Sequence, residues 1–440
     1  MQLASVADAE LGRLRAYVAA ALPDFLADLA ALVGIDCGSY TKTGVDQVGR
    51  WTAAALRRLG ADVDVAPNRD LGDTVVGTLR GVGTAGVLMI GHLDTVFEPG
   101  TAAARPFRLE AGRAYGPGVC DMKAGLLAGL YALRALQALG PGPAGPGPAE
   151  ARGDQAHPAA GEARRRPGDA AAVAGRGVLS WLPLARLTFV ANPDEEIGSP
   201  VSTPLIRDLA TEHAVVLVLE CARANGDIVS ARKGNLSLVL TLHGRAAHAG
   251  VEPEWGRSAI LEAAHKTIAL HALNGRWPGV TCNVGVVRGG TRPNVVAAEA
   301  VLEVDLRSPT RAALEAAEAA VREIAMRSTV PDVGCAVETT GRHWPMERLP
   351  GTVALVAEAV RLAAALGFGL RDAATGGASD ANTTAGAGVP TLDGLGPVGG
   401  LDHSPAEYVV VDSIVERVAL LAALLLAIGR GAVTLPAAAT

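Results

Sequence analysis

The amino-acid sequence predicts an α/β protein, in which a domain built on a mixed, largely parallel sheet is interrupted by an inserted ferredoxin-like unit. Three observations lead there. Short apolar strands alternate with helical patterns through the first half of the chain, the order that layers helices on a sheet. From Leu236 the order becomes strand, helix, strand, strand, helix, strand, the βαββαβ order of a four-stranded antiparallel sheet covered by two helices. The length of 440 residues exceeds what one core ordinarily organises, so two or three domains are expected.

Helical periodicity runs from Leu11 to Val33 and from Val45 to Leu59. Strands follow at Ala61–Val65, Thr74–Leu79 and Val87–Ile90, then a long helix from Lys123 to Leu139 and strands at Leu187–Val190 and Ala214–Leu219. The inserted unit has strands at Leu236–His243, Val280–Arg288, Val295–Arg307 and Cys335–Thr340, with helices at Arg257–Leu273 and Arg311–Met326. A helix at Val353–Leu366, a Gly-rich loop region from Thr375 to Pro405 and a closing helix after Asp412 return the chain to the first domain. The first domain is thus residues 1–230 and 342–440, and the second 231–341. Between Gly140 and Gly177 the chain contains no Leu, Ile, Met or aromatic residue, too little apolar surface to offset ordering entropy. A mobile surface insertion is expected there, with Arg164, Arg165 and Arg166 as a solvated charge cluster. The segment Gly81-Val-Gly-Thr-Ala-Gly86 precedes a strand and not a helix, which favours a hairpin turn over a dinucleotide-binding loop.

Hydrophobic residues make up 49% of the chain and aromatics only 3%, so the core is built from Ala, Leu and Val. A net charge of -6 argues against a general nucleic-acid or membrane-surface binder, which needs a basic face. Five scattered cysteines, none in a CxxC, fit a reducing cytoplasm better than a disulfide framework. The N-terminus lacks the basic and apolar regions of a secretory signal, and the apolar run Val418–Gly429 is too short for a membrane span. No GxSxG occurs, which removes the commonest serine-hydrolase elbow.

The chemistry-bearing residues sit where strands end. Glu195 and Glu196 follow the strand ending near Val190. Neighbours on an extended backbone point opposite ways, so one carboxylate can hold a metal while the other moves protons. His92-x-Asp94 closes another strand. Residues two apart share a face, so Asp94 can accept from one ring nitrogen of His92 while the other binds a metal. Asp121 stands at the start of the long helix, as a helix cap or a bridging carboxylate. Glu220 closes five apolar residues. His403 precedes Ser404, Pro405 and Glu407, whose spacing is that of a capping box opening a helix at Pro405.

Taken in order, Gly-His92-Leu-Asp94-Thr, Asp121-Met-Lys-Ala-Gly, Asp-Glu195-Glu196-Ile-Gly-Ser, Glu220, Gly-Arg-Ala-Ala-His248-Ala-Gly and His403 resemble the di-zinc metallopeptidase family of glutamate carboxypeptidase (carboxypeptidase G), aminoacylase, succinyl-diaminopimelate desuccinylase and several dipeptidases. The resemblance covers nearly the whole chain apart from the insertion, and Glu220 with the C-terminal loops looks most like glutamate carboxypeptidase members. It implies a catalytic domain interrupted by a lid or dimerisation domain. It further implies two zinc ions per subunit, with Co2+ or Mn2+ as alternatives: one ion on His92 and Glu220, the other on Glu196 and His403, with Asp121 bridging. Glu195 is implied as general base, Asp94 as the His92 partner, and His248 as the group approaching the scissile carbonyl oxygen from its own or the partner subunit. Asn294, Arg307 and Arg342 are candidates for holding a substrate carboxylate, for which a bidentate Arg is the usual solution.

The expected activity is hydrolysis of an amide bond in a small peptide or N-acyl amino acid with a free C-terminal carboxylate. Expected further are a homodimer through the lid domain, no nucleic-acid or membrane partner, and a cytoplasmic location. An N-acyl amino acid deacylase or desuccinylase uses the same chemistry, and a silent binding protein would keep the fold without it.

Overall fold

The computed structural model describes residues 5–140 and 178–435; apart from Gly140, the expected insertion at 140–177 lies outside the described residues. The chain divides into two compact units, the first comprising Met1–Val229, Leu349–Ala373 and Val389–Thr440, the second Ser230–Arg348 and Ala374–Gly388.

In the first unit a six-stranded sheet has the order Asp62–Ala66, Thr74–Arg80, Arg186–Asn192, Gly86–His92, Val215–Val218, Thr391–Leu392. Its first two junctions are antiparallel and its last three parallel. The central parallel strands are buried on both faces, which is why they read as continuous apolar runs without alternation. Their register aligns His92 with Asn192 and Ile90 with Val218, so the ends of three adjacent strands fall within two residues of one another. Side chains following those ends converge, the usual position for a site in such a sheet. The 81–86 loop is not the hairpin turn the sequence suggested. Strand Arg186–Asn192 inserts between the two strands the loop connects, because parallel pairing buries both faces of Gly86–His92.

Helices Asp8–Val33, Ala124–Leu139, Pro350–Leu366 and Val411–Gly429 pack on one another. Small residues let Ala124–Leu139 bury almost all of its circumference, which accounts for a core with so few aromatics. Helix Asp8–Val33 is by length and composition apolar enough to cross a membrane. Its stripe Leu11, Leu14, Val18, Phe25, Leu29 and Leu32 is buried in this core, and its Asp28 accepts the Tyr131 hydroxyl at 2.8 Å.

The second unit is an antiparallel sheet ordered Thr281–Gly289, Glu299–Ser308, Gly234–His243, Gly334–His343, with helices Ala259–His271 and Arg311–Met326. Leu236, Leu238, Leu240 and Leu242 alternate inward with the period of a one-faced sheet. Ser258 and Thr310 cap the two helices by accepting from Leu261 N (3.2 Å) and Ala313 N (3.3 Å). A buried pair, Lys266 and Glu262 at 3.0 Å, ties the helices: Lys266 donates to the carbonyls of Ile324 and Arg327, and Glu262 accepts from the amides of Thr329 and Val330.

Element boundaries differ from expectation by a few residues, and two differences are larger in consequence. The third strand starts at Glu299, not Val295. Residues 374–388, expected in the first domain, pack with the second. Within them helix Asp380–Gly386 presents Asn382, whose amide donates to the carbonyls of Lys233 and Trp344. Sequence patterns missed this because a seven-residue helix has too few turns to show periodicity.

Candidate metal centre

All of the site described here belongs to the first unit. Three strand ends supply its first residues: His92 is the last residue of its strand, Glu195 and Glu196 follow Asn192 in a short turn, and Glu220 lies two residues beyond Val218. The turn is closed by Gly198, whose φ of +86° costs a glycine little and whose N–H donates to the Glu195 carbonyl at 2.7 Å. Asp121 sits in the loop before helix Ala124–Leu139, where Gly118 has φ +69° and a Cβ there would meet Thr95 Cγ2 at 2.5 Å. His403 lies in a turn with φ +62°, and Leu401 beside it with φ +59°. Two non-glycine residues in this region cost on the order of 1 kcal/mol each, the kind of strain that collects at functional sites.

These residues converge. His92 Nε2 lies 3.0 Å from Asp121 Oδ1 and 3.7 Å from Glu220 Oε1. His403 Nε2 lies 3.1 Å from Asp121 Oδ2 and 3.1 Å from Glu196 Oε2. Asp121 thus offers one carboxylate oxygen to each imidazole. Among the described residues, two groups bring one donor atom per residue within 4.8 Å of one another at this place: His92, Asp121 and Glu196, and His92, Glu195 and Glu220.

Asp94 organises the cluster without facing its centre. Its carboxylate accepts from Ser39 Oγ (2.7 Å) and from the backbone N–H groups of Glu195 and Glu196 (3.2 Å each). His92 Nδ1 lies 3.0 Å from the Asp94 carbonyl and 3.3 Å from its Oδ1, so Asp94 is its acceptor, with the carbonyl the nearer atom. A proton held on Nδ1 leaves the Nε2 lone pair facing Asp121 and Glu220.

The electrostatics are those of a cation site. Burial opposes charge on His92, but the Asp121 and Asp94 hydrogen bonds and the Glu220 charge raise its pKa well above the ordinary value. Hydrogen bonds to Asp121 and Glu196 push His403 up to about 11. Burial raises Glu196; for Asp121 the two imidazoles outweigh burial and lower it. Carboxylates that draw protons onto the buried His92 and the exposed His403 imidazoles would draw a divalent cation in their place. Glu196 Oε1 is buried and has no hydrogen-bond partner, although its side chain is only 5% exposed. An orphaned carboxylate oxygen among imidazole and carboxylate donors fits a borderline-to-hard divalent metal.

Glu407, read from the sequence as a helix-capping residue, is part of this structure instead. No helix begins at Pro405; the chain makes a turn and enters strand Tyr408–Val410, which pairs with Arg113–Tyr115. The Glu407 carboxylate is buried against the Asp121 loop, accepting from Gly118 N (3.0 Å), Cys120 N (2.8 Å) and Asp121 N (3.0 Å). Burial pushes its carboxyl up to about 7, against three N–H donors that favour the anion. Ser39 was likewise missed. Neither carries a local signal, since each acts on residues far away in sequence.

The carboxylate-holding candidates lie in the second unit. His248 and Asn294 are neighbours there: His248 bridges Val295, and Ala249 N donates to the Asn294 carbonyl at 3.0 Å. Arg307 is engaged by Asp305 (2.9 Å) and the Gly376 carbonyl (2.9 Å). Arg342 donates to Glu318 at 2.7 Å and stacks over Trp344. Both guanidinium groups therefore already have partners.

Comparison with known proteins gives two family matches, a peptidase dimerisation domain over residues 230–333 and peptidase family M20/M25/M40 over residues 88–146. Carboxypeptidase G2 of Pseudomonas sp. (strain RS-16) is 28% identical over 414 residues, spanning 93% of this chain and 90% of that protein. Acetylornithine deacetylase of Proteus mirabilis (strain HI4320) is 27% identical over 307 residues, 65% of this chain and 67% of that protein. In fold, the chain is similar to aminopeptidase PepT from Bacillus cereus ATCC 10987 (TM-score 0.70, 22% identity, 92% and 98% of the two chains). It is also similar to the M20 family metallo-carboxypeptidase Sso-CP2 from Sulfolobus solfataricus (TM-score 0.64, 15% identity, 92% and 99%).

Proposed function

We propose that the chain belongs to the M20 peptidase superfamily, on its matches to two of that family's domains and its metal-binding clusters, and that this hydrolase cleaves the amide bond of a small peptide or N-acyl amino acid bearing a free C-terminal carboxylate, in the manner of a glutamate carboxypeptidase. The observation that carries the reading is Asp121, which turns one oxygen to His92 and the other to His403 while an acidic oxygen of Glu196 stays unpartnered. On this reading His92 with Glu220 would hold one zinc ion and Glu196 with His403 the other, Asp121, which faces both imidazoles, serving both. The bound pair would supply Lewis acidity and lower the pKa of water. Glu195 takes a proton from water as the oxygen adds to the carbonyl carbon, then gives it to the nitrogen that leaves. Asp94 holds the backbone of that base and of Glu196 through adjacent N–H groups, so base and metal ligand keep a fixed relation.

His248 is carried forward as the group that stabilises the developing oxyanion, and Asn294, Arg307 and Arg342 as candidates for the substrate carboxylate, as the resemblance implies. The free cysteines support a cytoplasmic location, and the match to a dimerisation domain supports a homodimer through the second unit. The similarity to carboxypeptidase G2, which extends along more of both chains than the similarity to acetylornithine deacetylase, favours a carboxypeptidase over a deacylase.

The test is amino-acid release from dipeptides, aroyl and acyl amino acids, with C-terminal glutamate compounds included, before and after chelation. Chelator-sensitive glutamate release is expected. Release from acetyl or succinyl substrates only would make the protein a deacylase, and no chelator-sensitive release would make it a binding protein.

A further inference from the structure

A second group of ligand atoms lies beside the metal centre and is chemically unlike it. Cys120 Sγ, Cys221 Sγ and a carboxylate oxygen of Asp402 fall within 4.8 Å of one another, with both cysteines buried. Cys221 Sγ lies 3.6 Å from Asp402 Oδ2. The other oxygen, Asp402 Oδ1, is buried without a hydrogen-bond partner. Arg223 Nη2 sits 3.6 Å from Cys221 Sγ, and its Nε is also buried without a partner. Two thiolates and a carboxylate carry three negative charges; a divalent cation and the Arg223 guanidinium carry three positive ones. With both thiols protonated, Asp402 and Arg223 already balance; a cation is favoured by the convergence of the three donor atoms and by Asp402 Oδ1, buried without a hydrogen-bond partner.

We propose that Cys120, Cys221 and Asp402 form a second, thiophilic cation site that takes a soft or borderline divalent ion such as Cd2+ or Zn2+. The donor sets sort the ions: imidazole and carboxylate at the centre around Asp121, sulfur here. Binding forms two metal–sulfur bonds and one metal–oxygen bond, and the two thiol protons leave to solvent.

Occupancy would be felt by the catalytic centre because the backbone connects them residue by residue. Cys120 precedes Asp121, Cys221 follows Glu220, and Asp402 precedes His403. Drawing three donors around one ion displaces the three residues attached to them. The site is therefore inhibitory, an inference that rests on the ligand roles proposed above, whereas the binding itself does not.

The experiment titrates Cd2+ into the full-length, zinc-loaded protein and reads thiolate-to-cadmium ultraviolet charge transfer alongside hydrolysis. The expected result is a band that saturates near roughly one equivalent while activity falls, with both reversed by a dithiol chelator. Cys120→Ala/Cys221→Ala, which keeps Cys37, Cys282 and Cys335, should lose the band, retain activity without cadmium, and need more than about tenfold more Cd2+ for inhibition. Asp402→Asn serves as a second variant if the double one folds poorly, and should weaken the band without abolishing it. No charge transfer in the wild type, or an unchanged band in the double variant, overturns the site. A band without loss of activity overturns the inhibition alone. Because the band requires no turnover, an inactive protein would count against the proposed function and not against this site.

Discussion

Replacing Glu407 tests whether the Asp121 loop is held from behind. In Glu407→Ala the N–H groups of Gly118, Cys120 and Asp121 lose their acceptor inside a buried region. Each orphaned N–H costs about 1–3 kcal/mol, and solvent entering the vacated space recovers part, so the loss of stability should be about 3–5 kcal/mol. Glu407→Gln is more discriminating. One oxygen of Glu407 accepts from both Cys120 and Asp121 while the other accepts from Gly118 alone. A glutamine can keep the first two bonds but turns an NH2 group toward the Gly118 N–H. Its loss should be about 1–3 kcal/mol. Because Asp121 faces both imidazoles, either variant should also weaken metal binding or activity by about 10–100-fold, alanine more than glutamine. Denaturant unfolding, metal affinity by competition with a chromophoric chelator, and kcat/KM of each variant supply the readouts. If stability fell as calculated while metal affinity and kcat/KM stayed within about twofold of wild type, Glu407 would support the fold and not the site.

Glu195→Gln should lower kcat by roughly 10²-fold or more with metal content intact, and near-normal turnover would remove the base assignment. Glu196→Ala should lose bound metal, which elemental analysis after gel filtration reads directly; full occupancy would contradict the ligand role. Metal affinity should rise with pH across the neutral range, by about tenfold per unit for each proton displaced, since His92 is raised and His403 is pushed up to about 11 in the ion-free cluster and both hold protons that a metal must expel. Calorimetry in buffers of different ionisation enthalpy checks this, and no proton release on zinc binding would refute it. In the second unit, Glu262→Ala should cost about 3–5 kcal/mol of stability by stranding the buried Lys266 charge, whereas a loss below about 1 kcal/mol would mean that Lys266 is satisfied by the carbonyls of Ile324 and Arg327 alone.

Much of this architecture was legible because it rests on period and on strand ends. The buried parallel strands announced themselves as short apolar runs, and an acidic or imidazole side chain just beyond such a run has few places to go but the sheet's carboxyl edge, where His92, Glu196 and Glu220 are found. Glu407 was hidden for the opposite reason. Its Ser-x-x-Glu spacing imitates a helix start, while its actual partners lie 286 to 289 positions away, and nothing local distinguishes the two. The short strands Arg108–Glu110, Arg113–Tyr115, Gly399–Gly400 and Tyr408–Val410 span too few residues for alternation to register. The 81–86 turn misled because a strand's neighbour in sequence is not always its neighbour in the sheet, and the strand that intervenes arrives about a hundred residues later.

The capture of Ala374–Gly388 by the second unit bears on how this protein comes into being on the ribosome. A segment 231–341 looks like a self-contained cassette, but its partner helix is translated only after the polypeptide has re-entered the first unit at Leu349. Until then the carbonyls of Lys233 and Trp344 wait for the Asn382 amide. Neither unit can therefore be finished before the other is under way. A fragment cut at residue 341 lacks Trp344 and leaves the Lys233 carbonyl without the Asn382 amide, and a graft of the second unit onto another protein must bring residues 374–388 with it.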